Sequence, residues 1–316
     1  MKPLSAAEII GNWATLLLPV NQDDTIDFTR LEEEIDVLMA VHPDGIYAHG
    51  TAGEFYNLTE REFLRISEML AHRCEKAQLP FQLGVSHPDP RTSLARLRAV
   101  IPLCPSAVQV ILPDWFPVNN PESVAYLQRM AELADPVGLI LYNPPHAKRV
   151  LSPLEIGRLK TAVPGLVGVK VLDGDETWYE DMRRHARDLS LFVPGHHLAT
   201  GFRLGAHGSY SNVACLNPLA AQRWMRQIRS DLPAALELEA RLCSFMDTHI
   251  VPYIRKKEFS NQAADKLLAA IGQWADIGPR LRWPYRGFPA EETDRLRPIA
   301  RKILPEFFPP QEAILP

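Results

Sequence analysis

The order in which apolar runs and amphipathic stretches follow one another constrains this chain more than any other feature of it. Eight short apolar runs occur: Asn12 to Val20, Gly45 to His49, Phe81 to Ser86, Ala107 to Leu112, Gly138 to Asn143, Leu166 to Val171, Leu191 to Val193 and Gly208 to Asn212. Between them lie segments in which apolar side chains recur with helical spacing, as in Leu31, Ile35, Leu38 and Met39, or Phe63, Ile66, Met69 and Leu70. Turn residues mark the joins. Pro88-Asp89-Pro90 precedes Thr92, and Ser152-Pro153 reads as a helix N-cap followed by proline at the first helical position.

Apolar runs without strict polar alternation suit strands covered on both faces, and strands alternating with helices imply a parallel sheet. Eight such units predict an α/β fold of the closed (β/α)8 TIM barrel type. An open doubly wound sheet would need a phosphate-binding glycine pattern after the first strand, and Leu18-Pro19-Val20-Asn21-Gln22 has no glycine. Beyond about residue 232 the strand signal stops. Leu236 to Thr248, Asn261 to Ile271 and Pro289 to Ile303 then read as three helices, so the expected organisation is a barrel over 8–231 that carries the site and a C-terminal helical extension over 232–316.

Composition narrows the function classes. The 316 residues are 46% hydrophobic and 23% charged, enough apolar side chain for a sizeable core. A formal charge of −4 supplies no field to hold nucleic acid or an anionic membrane, so neither is expected as a partner. The longest apolar stretches, such as Leu139-Ile140-Leu141-Tyr142, fall far short of the ~20 residues that span a bilayer. The amino terminus carries no secretory pattern, and the scattered cysteines Cys74, Cys104, Cys215 and Cys243 suit reduced thiols, so a cytoplasmic location is expected.

In a barrel of this kind, chemistry belongs at the C-terminal ends of the strands, where the loops converge. On the sixth strand, alternation places Leu166, Gly168 and Lys170 on one face and Val167, Val169 and Val171 on the other. If the valine face meets the outer helices, Lys170 points inward, where burial lowers an amine's pKa and makes it a nucleophile toward carbonyls. The other reading is a strand-end lysine reaching out to solvent. On the fifth strand Ile140 and Tyr142 share a face, and Asn143-Pro144-Pro145 then halts the strand. The 28 residues from Tyr142 to Lys170 amount to one helix plus one strand, which puts the two side chains on neighbouring strands. Tyr142 could equally be core filling. After the second strand, Gly50-Thr51-Ala52-Gly53-Glu54 offers either a plain turn or free backbone N–H groups for a carboxylate.

Taken together, these pieces resemble the dihydrodipicolinate synthase and N-acetylneuraminate lyase family of pyruvate-handling class I aldolases. Leu58-Thr59-Glu60-Arg61-Glu62, the run Leu204 to Ser211 and Ala264-Asp265-Lys266-Leu267-Leu268 extend the resemblance over roughly residues 8 to 305. It implies that Lys170 forms a Schiff base with pyruvate or a related 2-oxo acid, so that a C–C bond to an aldehyde is made or broken. Tyr142 and Thr51 would relay protons. The substrate carboxylate would sit on the amides of Ala52 and Gly53, in the turn that Gly50 opens. Glu54 would brace that loop, and Tyr210, Trp115 and His196 would help to bind substrate. The resemblance implies no metal and no organic cofactor, and a homo-oligomer, dimer or tetramer.

The departures from the family pattern bear on the substrate. Members that make dihydrodipicolinate carry a second hydroxyl residue where this chain has Ala52, and a relay tyrosine from a neighbouring subunit where it has Trp115. The arginine expected five residues beyond Tyr142 is Ala147, with Lys148 and Arg149 beside it. His49, Tyr56, Trp115, Phe116, His146, His196 and His197 stand near the mouth in sequence, and such a lining suits a bulkier or more apolar aldehyde. His196-His197 is not read as a metal pair, because adjacent side chains diverge. Three functions stay open: a Schiff-base lyase for another 2-oxo acid, dihydrodipicolinate synthase proper, and a non-catalytic metabolite-binding barrel.

Overall fold

Each of the eight expected apolar runs contributes a strand to one closed parallel barrel. The computed structural model describes residues 1–308, so the final part of the expected 232–316 extension lies outside the described residues. The strands are β1 (Gly11–Thr15), β2 (Gly45–Ala48), β3 (Phe81–Gly84), β4 (Ala107–Val110), β5 (Leu139–Asn143), β6 (Leu166–Val171), β7 (Ser190–Phe192) and β8 (Gly208–Tyr210). They pair in sequence order, and β8 closes on β1 through Gly11 and Gly208, Asn12 and Ser209, and Trp13 and Tyr210.

The connecting helices are α1 (Phe28–Val41), α2 (Glu60–Ala77), α3 (Pro90–Val100), α4 (Asn120–Ala134), α5 (Pro153–Ala162), α6 (Glu176–His185) and α7 (Leu198–Leu204). Their apolar stripes face the sheet, as the spacing requires: Leu31, Ile35 and Leu38 of α1 and Phe63, Ile66 and Leu70 of α2 are all buried. The caps follow the sequence signals. Ser152 Oγ accepts from the Glu155 amide at 3.3 Å, the Glu155 carboxylate accepts from the Ser152 amide at 2.9 Å, and Pro153 opens the helix.

The first apolar run leaves the strand at Thr15. Leu16, Leu17 and Leu18 continue as a buried loop whose exposed backbone cost is met in part by Glu34, which accepts from the Leu17 amide at 2.7 Å.

The larger departure is on β6. Leu139 of β5 pairs with Leu166, but Ile140 pairs with Gly168, so Val167 is an extra residue in the ladder. This bulge resets the alternation. Leu166 packs in the outer layer with Val169 and Val171, while Val167 packs against the barrel interior with Ile140 and Phe192, the reverse of the expected faces for these two residues. Beyond the bulge the expected order holds, with Gly168 and Lys170 directed inward. The interior is filled by Trp13, Tyr47, Ile140, Phe192 and Tyr210, with the Tyr47 and Tyr210 ring centroids 4.8 Å apart.

After β8 the chain forms α8 (Asn212–Leu216), α9 (Pro218–Ser230), α10 (Leu232–Phe245), α11 (Val251–Lys257), α12 (Asn261–Gly272) and α13 (Ala290–Ile303). The first of the three expected extension helices is longer than its periodic stretch. A π-helical turn at Met246–Ile250 carries α10 into α11, and it absorbs Pro252, whose ring and missing N–H are incompatible with a regular α-helical ladder. No described helix is long and apolar enough to cross a membrane.

Helix α12 packs directly on α8, and Gly272 allows a close approach: a Cβ there would collide with the Leu216 carbonyl oxygen, a backbone atom that cannot swing away. Gly272→Ala is expected to cost about 2–3 kcal/mol, read as a lower urea midpoint at unchanged slope.

Candidate active site

Two connected chambers open at the C-terminal ends of the strands. The inner one, about 70 Å3, is lined by Lys170, Tyr142, Thr51, Ala52, Tyr47 and Tyr210, together with Thr15, Asn212, Cys215, Asn261 and Asp265. The outer one, about 440 Å3, is walled by Phe55, Tyr56, Leu112, Pro144, Ile254, Phe259 and Tyr285. Thr51, Tyr142, His146 and Asn261 border both, so the two form one path from solvent to the lysine.

Lys170 and Tyr142 are direct partners in the β5–β6 ladder, which is why a separation of 28 residues brings them together. The Lys170 ammonium sits 4.2 Å from the centre of the Tyr142 ring and 5.2 Å from those of Tyr47 and Tyr210. It makes no hydrogen bond or ion pair with any described residue. Burial brings its pKa down to about 8, against the opposing pull of the Asp265 carboxylate. Burial pushes the Tyr142 phenol up to about 12, opposed by the Thr51 hydroxyl, which donates to the Tyr142 oxygen at 3.3 Å. Tyr210 donates to Gln82 at 2.6 Å and Tyr47 to Gln109, so both phenols are tied down as the chamber floor.

The β2 loop is shaped by its glycines. A Cβ on Gly50 would collide with the Tyr47 ring, and one on Gly53 would stand 3.1 Å from the Leu16 carbonyl oxygen. The amides of Thr51, Ala52 and Gly53 donate to no described residue, while the Glu54 amide closes the turn onto the Thr51 carbonyl at 3.1 Å. Glu54 turns away from the chamber. It is buried against Lys266, with Oε1 3.5 Å from Nζ, and its Oε2 accepts from the Arg282 amide at 3.1 Å. The expected bracing role of Glu54 is thus a tie between the β2 loop and α12.

Chemically, the inner chamber offers a partly neutral amine, a phenol that stays protonated near neutrality, a hydroxyl beside it and a row of free amides. Over residues 8–259 the sequence matches the dihydrodipicolinate synthetase family. The chain belongs to that family. It is 27% identical over 278 residues to 4-hydroxy-tetrahydrodipicolinate synthase of Neisseria gonorrhoeae, covering 87% of this chain and 91% of the relative. It is 27% identical over 212 residues to N-acetylneuraminate lyase of Enterobacter sp. strain 638, covering 66% of this chain and 70% of the relative. A prophage protein of the family from E. coli K12, solved in complex with pyruvate, superposes with a TM-score of 0.82 at 16% identity over 93% of this chain and 98% of that one. CdNal from Clostridium difficile, solved in complex with mannosamine, gives a TM-score of 0.80 at 19% identity over 94% and 99% of the two chains. As a dihydrodipicolinate synthetase family member, the chain is a lyase of the class I, pyruvate-dependent aldolase type.

Within this family frame, the structure brings together Lys170, Tyr142, Thr51, Ala52 and Tyr210, with Gly50 and Gly53 shaping the wall behind them. Trp115 and His196 do not line this chain's own chamber. Trp115 is 83% exposed, because the loop after β4 is drawn outward: the Lys148 ammonium donates to the Trp115 carbonyl at 2.8 Å and lies 5.1 Å from its ring centre. His196 stands behind Asn212, with its Nδ1 2.9 Å from the Asn212 amide nitrogen, and burial lowers its pKa to about 4. His197 pairs with Asp173 at 3.0 Å, a bond that raises its pKa to about 10, and His49 faces α2 with Nε2 2.9 Å from Ser67 Oγ. Phe116 is exposed, whereas Tyr56 and His146 do line the path.

Asp265, Asn261 and Tyr47 are chamber residues that sequence reasoning did not assign. Asn261 and Asp265 are four apart on one helix, hence on one face, but only the packing of α12 shows that this face closes the barrel mouth. Among the described residues, no cluster of three or more His, Cys, Asp or Glu side chains could hold a metal ion.

Lys266 and Glu54 are both 0% exposed. Lys266→Met, which leaves the Glu54 carboxylate buried without its cation, is expected to cost about 3–5 kcal/mol in denaturant unfolding. The double variant Glu54→Leu, Lys266→Met should recover most of that loss.

Proposed function

We propose that Lys170 forms the Schiff base with pyruvate or a related 2-oxo acid, and that the outer chamber takes a bulky, uncharged aldehyde joined to it or released from it. The observation that carries this reading is the Lys170 amine, buried on three tyrosine rings, lowered toward neutrality and partnered in the ladder by Tyr142.

The neutral amine attacks the keto carbon to give a carbinolamine. Tyr142 protonates the departing hydroxyl, water leaves, and Thr51 passes the proton that restores the phenol. The substrate carboxylate rests on the Ala52 and Gly53 amides, with one hydroxyl fewer than a serine or threonine at 52 would supply. The protonated imine then accepts the electrons of a breaking C–C bond, or yields an enamine that adds to the aldehyde. Nothing in this sequence of steps calls for a metal or organic cofactor.

The acceptor class rests on the outer chamber. Position 147 is alanine, and Arg149, the one arginine or lysine among its lining residues, is committed elsewhere. Its guanidinium donates to the Val118 carbonyl at 2.7 Å, to Ser123 at 3.0 Å and to Glu155 at 2.9 Å. A carboxylate-bearing aldehyde such as aspartate semialdehyde would lack a counter-ion there, so dihydrodipicolinate synthase proper, the condensation of that aldehyde with pyruvate, is not the favoured reading. A purely binding role leaves the lowered amine without a purpose. We also read the chain as a cytoplasmic homo-oligomer, on the support of four cysteines without a disulfide and of the exposed Trp115 and Phe116 at the rim.

Borohydride reduction in the presence of pyruvate is expected to add the reduced pyruvate mass to Lys170, seen by peptide mass analysis, and to add nothing in Lys170→Ala. Because only the neutral amine attacks, imine formation should rise about tenfold per pH unit below about 8 and level off above it. Tyr142→Phe is expected to slow turnover by about 10²–10⁴-fold. In an aldehyde panel, aromatic aldehydes should exceed aspartate semialdehyde in kcat/KM by at least about tenfold.

A further inference from the structure

Among the ionisable groups that line the inner chamber with the lysine, the Asp265 carboxylate has no part in the imine chemistry. Asp265 lies one turn after Asn261 on α12, on the face that closes the chamber. The helix is fixed in that position by Lys266, buried on Glu54 of the β2 loop, and by its packing on α8. The Asp265 carboxylate makes no hydrogen bond and no ion pair with any described residue, so the protein leaves it unpartnered and open to whatever occupies the chamber. An unpartnered carboxylate in so enclosed a place is costly, and structure alone gains nothing from it.

We infer that Asp265 is the acid–base group for C3 of the 2-oxo acid once it is joined to Lys170, an inference that rests on the Schiff base proposed above. The carboxylate takes a proton from C3. The C3–H electron pair becomes the C2–C3 double bond, and the pair of the C2–N double bond returns to nitrogen. Iminium and carboxylate become neutral enamine and carboxylic acid, so two opposite charges vanish together in a chamber that solvates charge poorly. In the lytic direction the acid returns the proton to C3.

The other groups facing the chamber suit this step less well. Tyr142 on β5, Tyr47 on β2 and Tyr210 on β8 are all raised by burial and stay protonated, as does the Cys215 thiol on α8. Burial holds Asp265 up at about 7, against the opposing attraction of Lys170, which suits a group that must both take and return a proton near neutrality. The remaining competitor is His146, on the loop after β5, whose imidazole burial keeps neutral.

The test follows pyruvate in D2O by proton NMR, where loss of the methyl signal measures exchange at C3, with borohydride trapping run in parallel. Wild type should trap and exchange. Asp265→Asn should still yield the trapped adduct but exchange at least about 10²-fold more slowly. In Asp265→Ala, added formate, but not chloride, should restore exchange, and this arm stands if the asparagine variant folds poorly. Wild-type exchange in Asp265→Asn, or slow exchange confined to His146→Gln, would overturn the assignment. Loss of the adduct in Asp265→Asn would overturn it too, by moving Asp265 to imine formation. Failure of wild type to trap any adduct is a separate result and would remove the Schiff base itself.

Discussion

A primary amine held in the mouth of a closed barrel without a contact counter-ion among the described residues is the constraint on which the site depends. Water would stabilise the ammonium of Lys170; three tyrosine rings do so only in part. The shortfall is what brings the amine toward neutrality. A carboxylate at ion-pair distance would reverse it, and the structure instead keeps Asp265 within the chamber but out of contact.

Holding that amine in place takes the whole barrel. Lys170 is flanked in register by Tyr142 on β5 and Phe192 on β7, so its stem cannot leave the interior without breaking two ladders. The floor beneath it is polar and satisfied on the phenol side only: Tyr210 reaches Gln82 and Tyr47 reaches Gln109, while the Nε2 of each glutamine is buried without a hydrogen-bond partner among the described residues. The C-terminal extension is as much a part of the site as the strands. Helix α12 places Asn261 and Asp265 over the mouth, and the buried Lys266–Glu54 pair locks it to the loop whose amides are free.

Much of this was legible in the sequence because period and order are local properties. The eight alternations predicted the barrel, and the placement of Lys170 and Tyr142 on adjacent strands followed from strand order and side-chain alternation. Alternation misplaced Leu166 and Val167, since a bulge is decided by pairing with β5 and leaves no mark in the strand's own residues. Trp115 is expected at the substrate because it stands where family members carry a relay tyrosine from a neighbouring subunit, and His196 because it follows a strand end. Loops, however, take their direction from distant partners, Lys148 for one and Asn212 for the other. Asp265 lies in the run Ala264 to Leu268 that extends the family resemblance, yet nothing near it in sequence says which helix face meets the barrel.

The sequence by itself determined the (β/α)8 architecture, the family and the lysine and tyrosine at the strand ends, because hydrophobic periodicity and strand order survive without knowledge of any contact. Only the tertiary structure decided which groups share the chamber with Lys170, that Arg149 is spent on Val118, Ser123 and Glu155, and that a carboxylate without a partner among the described residues lines the same chamber as the amine. The physical reason is the same in each case. Desolvation and electrostatic attraction act through space over a few ångströms, between residues that stand tens to hundreds of positions apart along the chain.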